Sequence, residues 1–261
     1  MKGWLIGLCV AAILVVLLEL KNRRERPLYQ KLEESYKELL EGRFQNEPVM
    51  RRRFMRALAR YVYHENGHKM ALAMFATTSR RTQAKENRMA CILMIGICFE
   101  DAGQWGDALK AYDAVCREEP FWGMALKRRA HLLSRMKDPA CVDAYEQVIR
   151  RYPGDAVQYN NFGSALYRVD RYEEAVEKLR YALELDDTLH SARGVLAMVY
   201  AYMGDEENAA KAFQDAVDHG QNAEELRNVI EQELEYKREQ EAAEENDKTE
   251  EMMQSENDLE E

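Results

Sequence analysis

Apolar residues recur along most of the chain at the three- and four-residue spacing of amphipathic helices. Between about residues 53 and 221 one pattern returns five times, a small residue followed four positions later by a large one. The pairs are Ala71 and Phe75, Ala108 and Tyr112, Cys141 and Tyr145, Ala175 and Leu179, and Ala209 and Phe213. Their first members are 37, 33, 34 and 34 residues apart. A period of this length predicts an all-α solenoid of stacked helix pairs.

The second repeat carries further residues at fixed offsets. Gly96 lies in its first helix, Gly103 marks the turn, and Pro120 follows its second helix. This arrangement resembles the tetratricopeptide repeat (TPR) family, in which small residues let paired helices approach closely. The resemblance covers residues 47–221 and implies a right-handed TPR solenoid of four or five repeats. The first repeat fits least well, because the polar, basic residues 77–87 indicate a longer loop or a shift of register.

An apolar run precedes the repeats. Residues 3–18 carry no charge, and with Glu19 and Leu20 the run reaches about 18 residues, enough to cross a thin bilayer. Four basic residues follow between positions 21 and 26, whereas only Lys2 precedes the run. A cleaved signal peptide would need a small-residue site before these charges, and none is present. We therefore expect residues 1–22 to be a single-pass transmembrane anchor in the cell inner membrane, with the remaining chain cytoplasmic.

Helical segments are predicted on both sides of the repeats. Residues 23–46 combine the basic cluster with a capping helix that begins at Pro27, and residues 222–245 form a second capping helix. Residues 246–261 form an acidic tail that is expected to be disordered. The net charge of −10 is concentrated at this end, since 14 Asp and Glu stand against 3 Lys and Arg from Glu231 onward. The remaining chain is close to neutral.

The resemblance also implies which side chains face an inner groove lined by the first helices of the pairs. They are Arg53, Arg56, Arg60, Tyr63, Met94, Ile97, Lys127, Arg128, His131, Asn160, Asn161, Ser164, Tyr167, Met198 and Tyr202. Basic and amide groups in such a groove favour an acidic peptide or a free C-terminal carboxylate as ligand. The layout resembles that of N-terminally anchored bacterial TPR scaffolds, and mitochondrial import receptors share it. We therefore expect a membrane-anchored adaptor that holds a peptide or partner protein.

Two alternatives use other parts of the same chain. Leu93, Met94 and Ile97 form an apolar patch that would suit an assembly chaperone for an apolar segment of a membrane or envelope client. The salt dependence of binding separates such a chaperone from a scaffold for acidic peptides. Alternatively, the tail of residues 246–261 itself binds the basic groove and competes with the ligand.

Other functions find little support in the sequence. The chain has no catalytic motif, so it is not expected to be an enzyme or to use a cofactor. Its five cysteines contain no CxxC pair, which predicts no metal site and favours packing as small apolar residues. A nearly neutral body with an acidic tail argues against nucleic-acid binding. The sequence leaves the oligomeric state and the partner open.

Overall fold

The computed structural model describes residues 27–239 and residue 242, and every regular element among them is an α-helix. The helices are 27–35 (α1), Lys37–Leu40 (α2), Pro48–Tyr63 (α3), Gly67–Arg81 (α4), Lys85–Asp101 (α5), Trp105–Glu118 (α6), Gly123–Arg135 (α7), Cys141–Arg151 (α8), Ala156–Arg168 (α9), Tyr172–Leu185 (α10), His190–Met203 (α11), Glu206–Asp218 (α12) and 223–239 (α13). The predicted anchor and acidic tail lie outside the described residues. Within the described part, none of the helices combines the length and apolar character of a bilayer span.

Helices α3 to α12 form five successive pairs, as the repeat period predicts. The described chain divides into two compact units, unit 1 up to Leu132 and unit 2 from Leu133, and the division falls within α7. Helices α3 to α6 pack in sequence within unit 1, and α8 to α12 do so within unit 2. The prediction of an all-α fold of helix pairs is confirmed.

Glycines in the first helices allow the close approach that the pattern predicts. A Cβ atom on Gly96 would lie 2.6 Å from Cε1 of Tyr112, and one on Gly163 would lie 2.6 Å from Cγ of Leu179. Tyr112 and Leu179 are both fully buried. In these pairs the recurrent small and large positions therefore hold the two helices together.

The turn within each pair repeats as regularly as the helices. One residue in each turn has a positive φ, and these residues are Asn66, Gly103, Lys137, Asp170 and Gly204. Glycine adopts this left-handed conformation readily, whereas a long side chain such as that of Lys137 does so at a cost in strain. The positive φ therefore recurs in all five turns, although glycine occupies that position in only two of them.

The first pair differs from its prediction in one respect. Residues 77–87 do not form a long loop, because α4 continues to Arg81 and α5 begins at Lys85. Glu47, just before α3, accepts hydrogen bonds from Oγ1 of Thr82 (2.6 Å) and from the amide of Ala84 (2.8 Å). The short connection is therefore tied to the start of the first repeat.

Candidate functional site

Three of the predicted groove residues come together in unit 1. Arg56, Arg60 and Tyr63, all on α3, line a cleft of about 320 Å³. Leu28 and Tyr29 of α1 line the same cleft, together with Ala59, His64 and Met74. Arg56, Arg60 and Tyr63 are exposed, as a ligand-binding role requires. Arg53, also on α3, is half-buried and does not line this cleft.

The predicted apolar patch is not open to a ligand. Leu93 and Met94 are fully buried, and Ile97 is 4% exposed. They belong to one buried cluster that also contains Leu32, Leu39, Leu40 and Phe44 from the start of the described chain. The prediction that Met94 and Ile97 face an open groove is therefore wrong for this structure, because the chain's own residues pack into that cluster. The chaperone alternative was based on this patch.

The basic side chains of α7 face a carboxylate of this chain. Nη1 of Arg128 lies 3.6 Å from Glu100, Nδ1 of His131 lies 3.8 Å from it, and the hydroxyl of Tyr112 donates to it at 2.6 Å. Burial raises the pKa of Glu100, but the nearby His131 ring, the hydrogen bond from Tyr112 and the charge of Arg128 outweigh it, so the net pKa is lowered. The charge of Arg128 is therefore partly neutralised. Lys127 is half-buried beside them.

The N-terminal segment, residues 27–44, lies against the first helices of unit 1. Glu33 forms an ion pair of 2.8 Å with Arg51 of α3. Asn87 of α5 accepts a hydrogen bond from the amide of Phe44. Burial raises the pKa of Tyr36, which also senses the charges of Arg128 and Asp101. The segment thus reaches residues of α3, α5 and α7, the helices predicted to line the groove.

Unit 2 contains a larger cleft of about 500 Å³, here named the tyrosine cleft. Its lining residues are Arg135, Lys137, Tyr167, Arg168, Asp170, Tyr202, Gln232, Glu233 and Tyr236. Tyr167 and Tyr202 were predicted groove residues, whereas the remaining lining residues come from the ends of α7 and α9, from the turns that follow these helices, and from α13. The side of unit 2 that carries the first helices α9 and α11 therefore has an open site.

The aromatic rings at this cleft are held by one another and by hydrogen bonds. The rings of Tyr167 and Tyr202 meet edge to face with centroids 5.4 Å apart, and Tyr172 stacks obliquely on Tyr202 at 5.2 Å. The Tyr167 hydroxyl donates to Glu233 at 3.1 Å, and the Tyr172 hydroxyl donates to Asp170 at 2.6 Å. Burial, followed by these carboxylates, raises the pKa of both phenols, so they remain protonated donors at neutral pH.

Cationic side chains surround these rings. Nζ of Lys237 donates to the carbonyl of Tyr202 at 2.8 Å and lies 4.5 Å from the centroid of its ring. Nζ of Lys137 lies 5.3 Å from the ring of Tyr236, and Arg168 donates to Oγ of Ser134 at 3.2 Å. Rings and cations at this spacing form cation–π contacts. The cleft therefore offers aromatic surface and three cations, Arg135, Lys137 and Arg168, together with the carboxylates of Asp170 and Glu233.

The other predicted residues of unit 2 do not line this cleft. Asn160 is buried, and its Oδ1 atom has no hydrogen-bond partner among the described residues. Its carbonyl accepts the hydroxyl of Ser164 at 3.0 Å. Asn161, Ser164 and Met198 are half-buried. They remain predicted groove residues.

Sequence reasoning missed Lys137, Arg168 and the α13 side chains at the tyrosine cleft. Lys137 occupies the turn position where glycine stands in two other repeats. A lysine at this position could have marked it as a candidate functional residue. The approach of Glu233 and Tyr236 to Tyr167 and Lys137 had no such signal. It depends on where α13 packs.

Two segments of the chain match a known protein family. Residues 90–121, which span α5 and α6, and residues 190–218, which span α11 and α12, both match the tetratricopeptide repeat family. No curated protein sequence matches the chain.

Solved structures show the same fold. The structure of MamA residues 41 to the end from Desulfovibrio magneticus RS-1 superimposes with a TM-score of 0.59 at 22% identity, covering 66% of this chain and 93% of that one. YrrB, described as a TPR protein with an unusual peptide-binding site, gives a TM-score of 0.57 at 16% identity and covers 78% of this chain and 97% of its own. The chain therefore has a TPR fold, and two of its segments match the TPR family.

Proposed function

We propose that this chain is a TPR scaffold, anchored in the inner membrane by residues 1–22, that holds a peptide segment of a partner protein at the cytoplasmic face. The tyrosine cleft carries the binding part of the proposal, because it combines open volume with aromatic rings and cations on the side of the first helices. The uncharged run of residues 3–18 and the basic residues that follow it support the anchor and its orientation.

The chemistry of the cleft suggests the kind of peptide. Arg135, Lys137 and Arg168 would stabilise a carboxylate through charge-assisted hydrogen bonds. Tyr167 and Tyr202 would contact an adjacent aromatic or large apolar side chain with little loss of side-chain entropy. An acidic residue next to an apolar one therefore suits this site best. YrrB, a protein of similar fold, is described as having a peptide-binding site.

Crosslinking capture from membranes tests the binding part. The full chain is compared with Lys137→Gly and Arg168→Glu, and Lys110→Glu serves as the control because Lys110 is an exposed cation on α6 that pairs only locally with Asp107. We expect the same partner with the wild type and the control, and at least about tenfold less with Arg168→Glu, since an opposed charge replaces an attractive one. A partner recovered equally from all four proteins would contradict the proposal.

Lys137→Gly separates binding from folding. Lys137 has a φ of 55°, a conformation that glycine adopts without strain. Relief of that strain and loss of the contact with Tyr236 offset each other, so the free energy of unfolding should change by less than about 0.5 kcal/mol. If Lys137→Gly captures less partner while its stability is unchanged, the positive charge of Lys137 contributes to ligand binding.

Fractionation tests the membrane part. Removing residues 1–22 should transfer the chain from the membrane pellet to the supernatant. Protease added outside intact spheroplasts should leave the repeats uncut, because the basic residues after the run retain them inside. Digestion of the repeats from outside would reverse the proposed orientation.

A further inference from the structure

The side of unit 1 that carries the first helices already holds a helix. Large apolar residues stand four positions apart at Leu28, Leu32 and Tyr36, and Leu39 and Leu40 continue the series. Leu32 and Leu39 are buried in the same cluster as Leu93 and Met94 of α5. Spacing of this kind places one apolar stripe against the repeats. The apolar residues predicted to receive a ligand therefore share a buried cluster with the N-terminal segment.

Polar contacts fix the position of this segment. Glu33 pairs with Arg51 at 2.8 Å on one side. At its end the Arg43 guanidinium lies 2.5 Å from Glu119 and 3.8 Å from the ring centroid of Trp122. Helix-in-groove recognition elsewhere combines an apolar stripe with charged contacts in the same way.

The two ends of the N-terminal segment differ in how completely they are packed against unit 1. The Phe44 end is fully buried, although Phe44 adopts a φ of 60°, which is strained for a bulky residue. The other end leaves the cleft of about 320 Å³ between Leu28 and Tyr29 on α1 and Arg56 and Arg60 on α3. Arg56 and Arg60 are exposed there, and among the described residues neither forms an ion pair with a carboxylate of the segment. An acidic group would complement these two cations.

We propose that this side of unit 1, here named the helix groove, is a receptor for an amphipathic helix of a partner protein, which replaces the chain's own N-terminal segment. The partner helix carries large apolar residues at four-residue intervals, an acidic residue opposite Arg51, and further acidic residues one turn earlier that reach Arg56 and Arg60. It competes with the tethered residues 27–44, whose described ion pair with α3 is that of Glu33 with Arg51. This inference is independent of the tyrosine cleft, because it concerns different helices and a different ligand.

Competition in the full chain tests the proposal. The probe is a fluorescein-labelled synthetic peptide of residues 27–47, and a second probe adds four glutamates before Pro27. Tethering gives the chain's own helix an effective concentration of about 1 mM, so the first probe should bind the wild type weakly. The glutamate extension should tighten binding at least fivefold, and Arg56→Glu with Arg60→Glu should abolish that gain.

A substitution in the N-terminal segment tests whether the probe and this segment compete for the same groove. Leu32→Ala in the chain should tighten probe binding about tenfold, because it removes a buried contact of the resident helix. Leu234→Ala, the same substitution at a half-buried position of α13, should leave probe binding unchanged. Equal binding by all three proteins, or no binding by a folded Leu32→Ala chain at millimolar probe, would overturn the proposal.

A charge exchange covers the case in which Leu32→Ala does not fold. Arg51 and Glu33 are both partly exposed, with 35% and 41% of their side chains accessible, so Arg51→Glu should preserve the fold. The probe with Glu33→Arg should bind the Arg51→Glu chain more tightly than the unchanged probe does, and the order should reverse on the wild type. The same order of affinities on both chains would show that the probe does not occupy the helix groove. The tyrosine-cleft variants should leave all these values unchanged.

Discussion

The N-terminal segment and α13 both lie against first helices of the repeats, but different contacts hold them in place. The N-terminal segment buries Leu32, Leu39, Leu40 and Phe44 almost completely. Helix α13 buries none of its described side chains fully, and its main contacts are the polar ones of Glu233 with Tyr167 and of Lys237 with Tyr202. The first is part of a core, and the second is a surface contact beside an open cleft.

This difference shows that similar helical patterns can play different roles. Both segments carry apolar residues at intervals of three and four positions. The N-terminal segment joins a buried apolar cluster that includes Leu93 and Met94, whereas α13 contacts the hydroxyls and charges around Tyr167 and Tyr202. The partner surface therefore decides how much free energy the contact contributes.

The same substitution in the two segments should give the largest contrast. Leu39→Ala removes a fully buried side chain and should lower the free energy of unfolding by about 2–5 kcal/mol. Leu234→Ala changes a half-buried side chain of α13 and should cost less than about 1 kcal/mol. Urea denaturation followed by circular dichroism measures both. Equal decreases in the free energy of unfolding would contradict the distinction between the buried contact of the N-terminal segment and the surface contact of α13.

Replacing a cationic side chain in each segment should have the next largest effect on stability. Arg43→Gln leaves Glu119 without its partner in a site where the Arg43 side chain is 9% exposed, and should cost about 1–3 kcal/mol. Lys237→Gln loses a contact with a half-buried carbonyl and ring, and should cost about 1 kcal/mol or less. Thermal denaturation of the two variants gives the order. A larger effect at Lys237 would indicate that α13 is the more important of the two contacts.

Glu47, just before α3, and Asn222, just before α13, also differ in the hydrogen bonds that their side chains accept. The side chain of Glu47 links the start of α3 to residues 82–84, whereas Oδ1 of the Asn222 side chain accepts the amides of Glu224 and Glu225 within its own turn. Glu47→Gln should lower the free energy of unfolding by about 1 kcal/mol at pH 7, which corresponds to about 2–4 °C in melting temperature.

The effect at Glu47 should depend on pH. The hydrogen bond from Thr82, and then those from the amides of Ala84 and Gln83, lower the pKa of Glu47 in the folded chain. A lowered pKa stabilises the fold fully above the unfolded value and loses that contribution as pH falls through the folded value. The difference between wild type and Glu47→Gln should therefore shrink as pH falls from 7 to about 3. A constant difference would show that the charge of Glu47 is not responsible.

The smallest effect is expected from the acidic tail. Residues 246–261 begin ten positions after Tyr236, which lines the tyrosine cleft, so a tail that occupies the cleft would compete with an acidic ligand. Deleting them should tighten binding of a labelled acidic peptide about two- to fivefold at low salt. Stability should not change. Unchanged affinity would contradict competition by the tail.

Local features of the sequence predicted much of the fold but only part of the site. The small residues Gly96 and Gly163 act within one helix pair, so their role was readable from spacing, and the structure confirms it. Cys91, Cys98 and Cys141 are buried, and burial raises the pKa of each thiol, as expected for small apolar residues. Arg56, Arg60 and Tyr63 were predicted together because the resemblance to the TPR family places them at groove-facing positions of the first repeat.

The missed features involve residues far apart in the sequence. Arg43 and Glu119 are separated by 76 positions and Tyr167 and Glu233 by 66, and no periodic pattern joins such pairs. The position of Glu100 beside Arg128 and His131 is of the same kind. Their proximity depends on how neighbouring pairs stack.

By itself, the sequence determined that this chain consists of helix pairs with a 34-residue period, because apolar spacing and small residues act within a few turns of helix. Only the tertiary structure decided which faces of those helices remain open. Met94 and Ile97 are closed by burial in the cluster that the N-terminal segment joins, whereas Tyr167 and Tyr202 border a cleft. The reason is that exposure depends on which distant segment packs over a face, and that choice depends on the complementarity of two surfaces and not on either pattern alone.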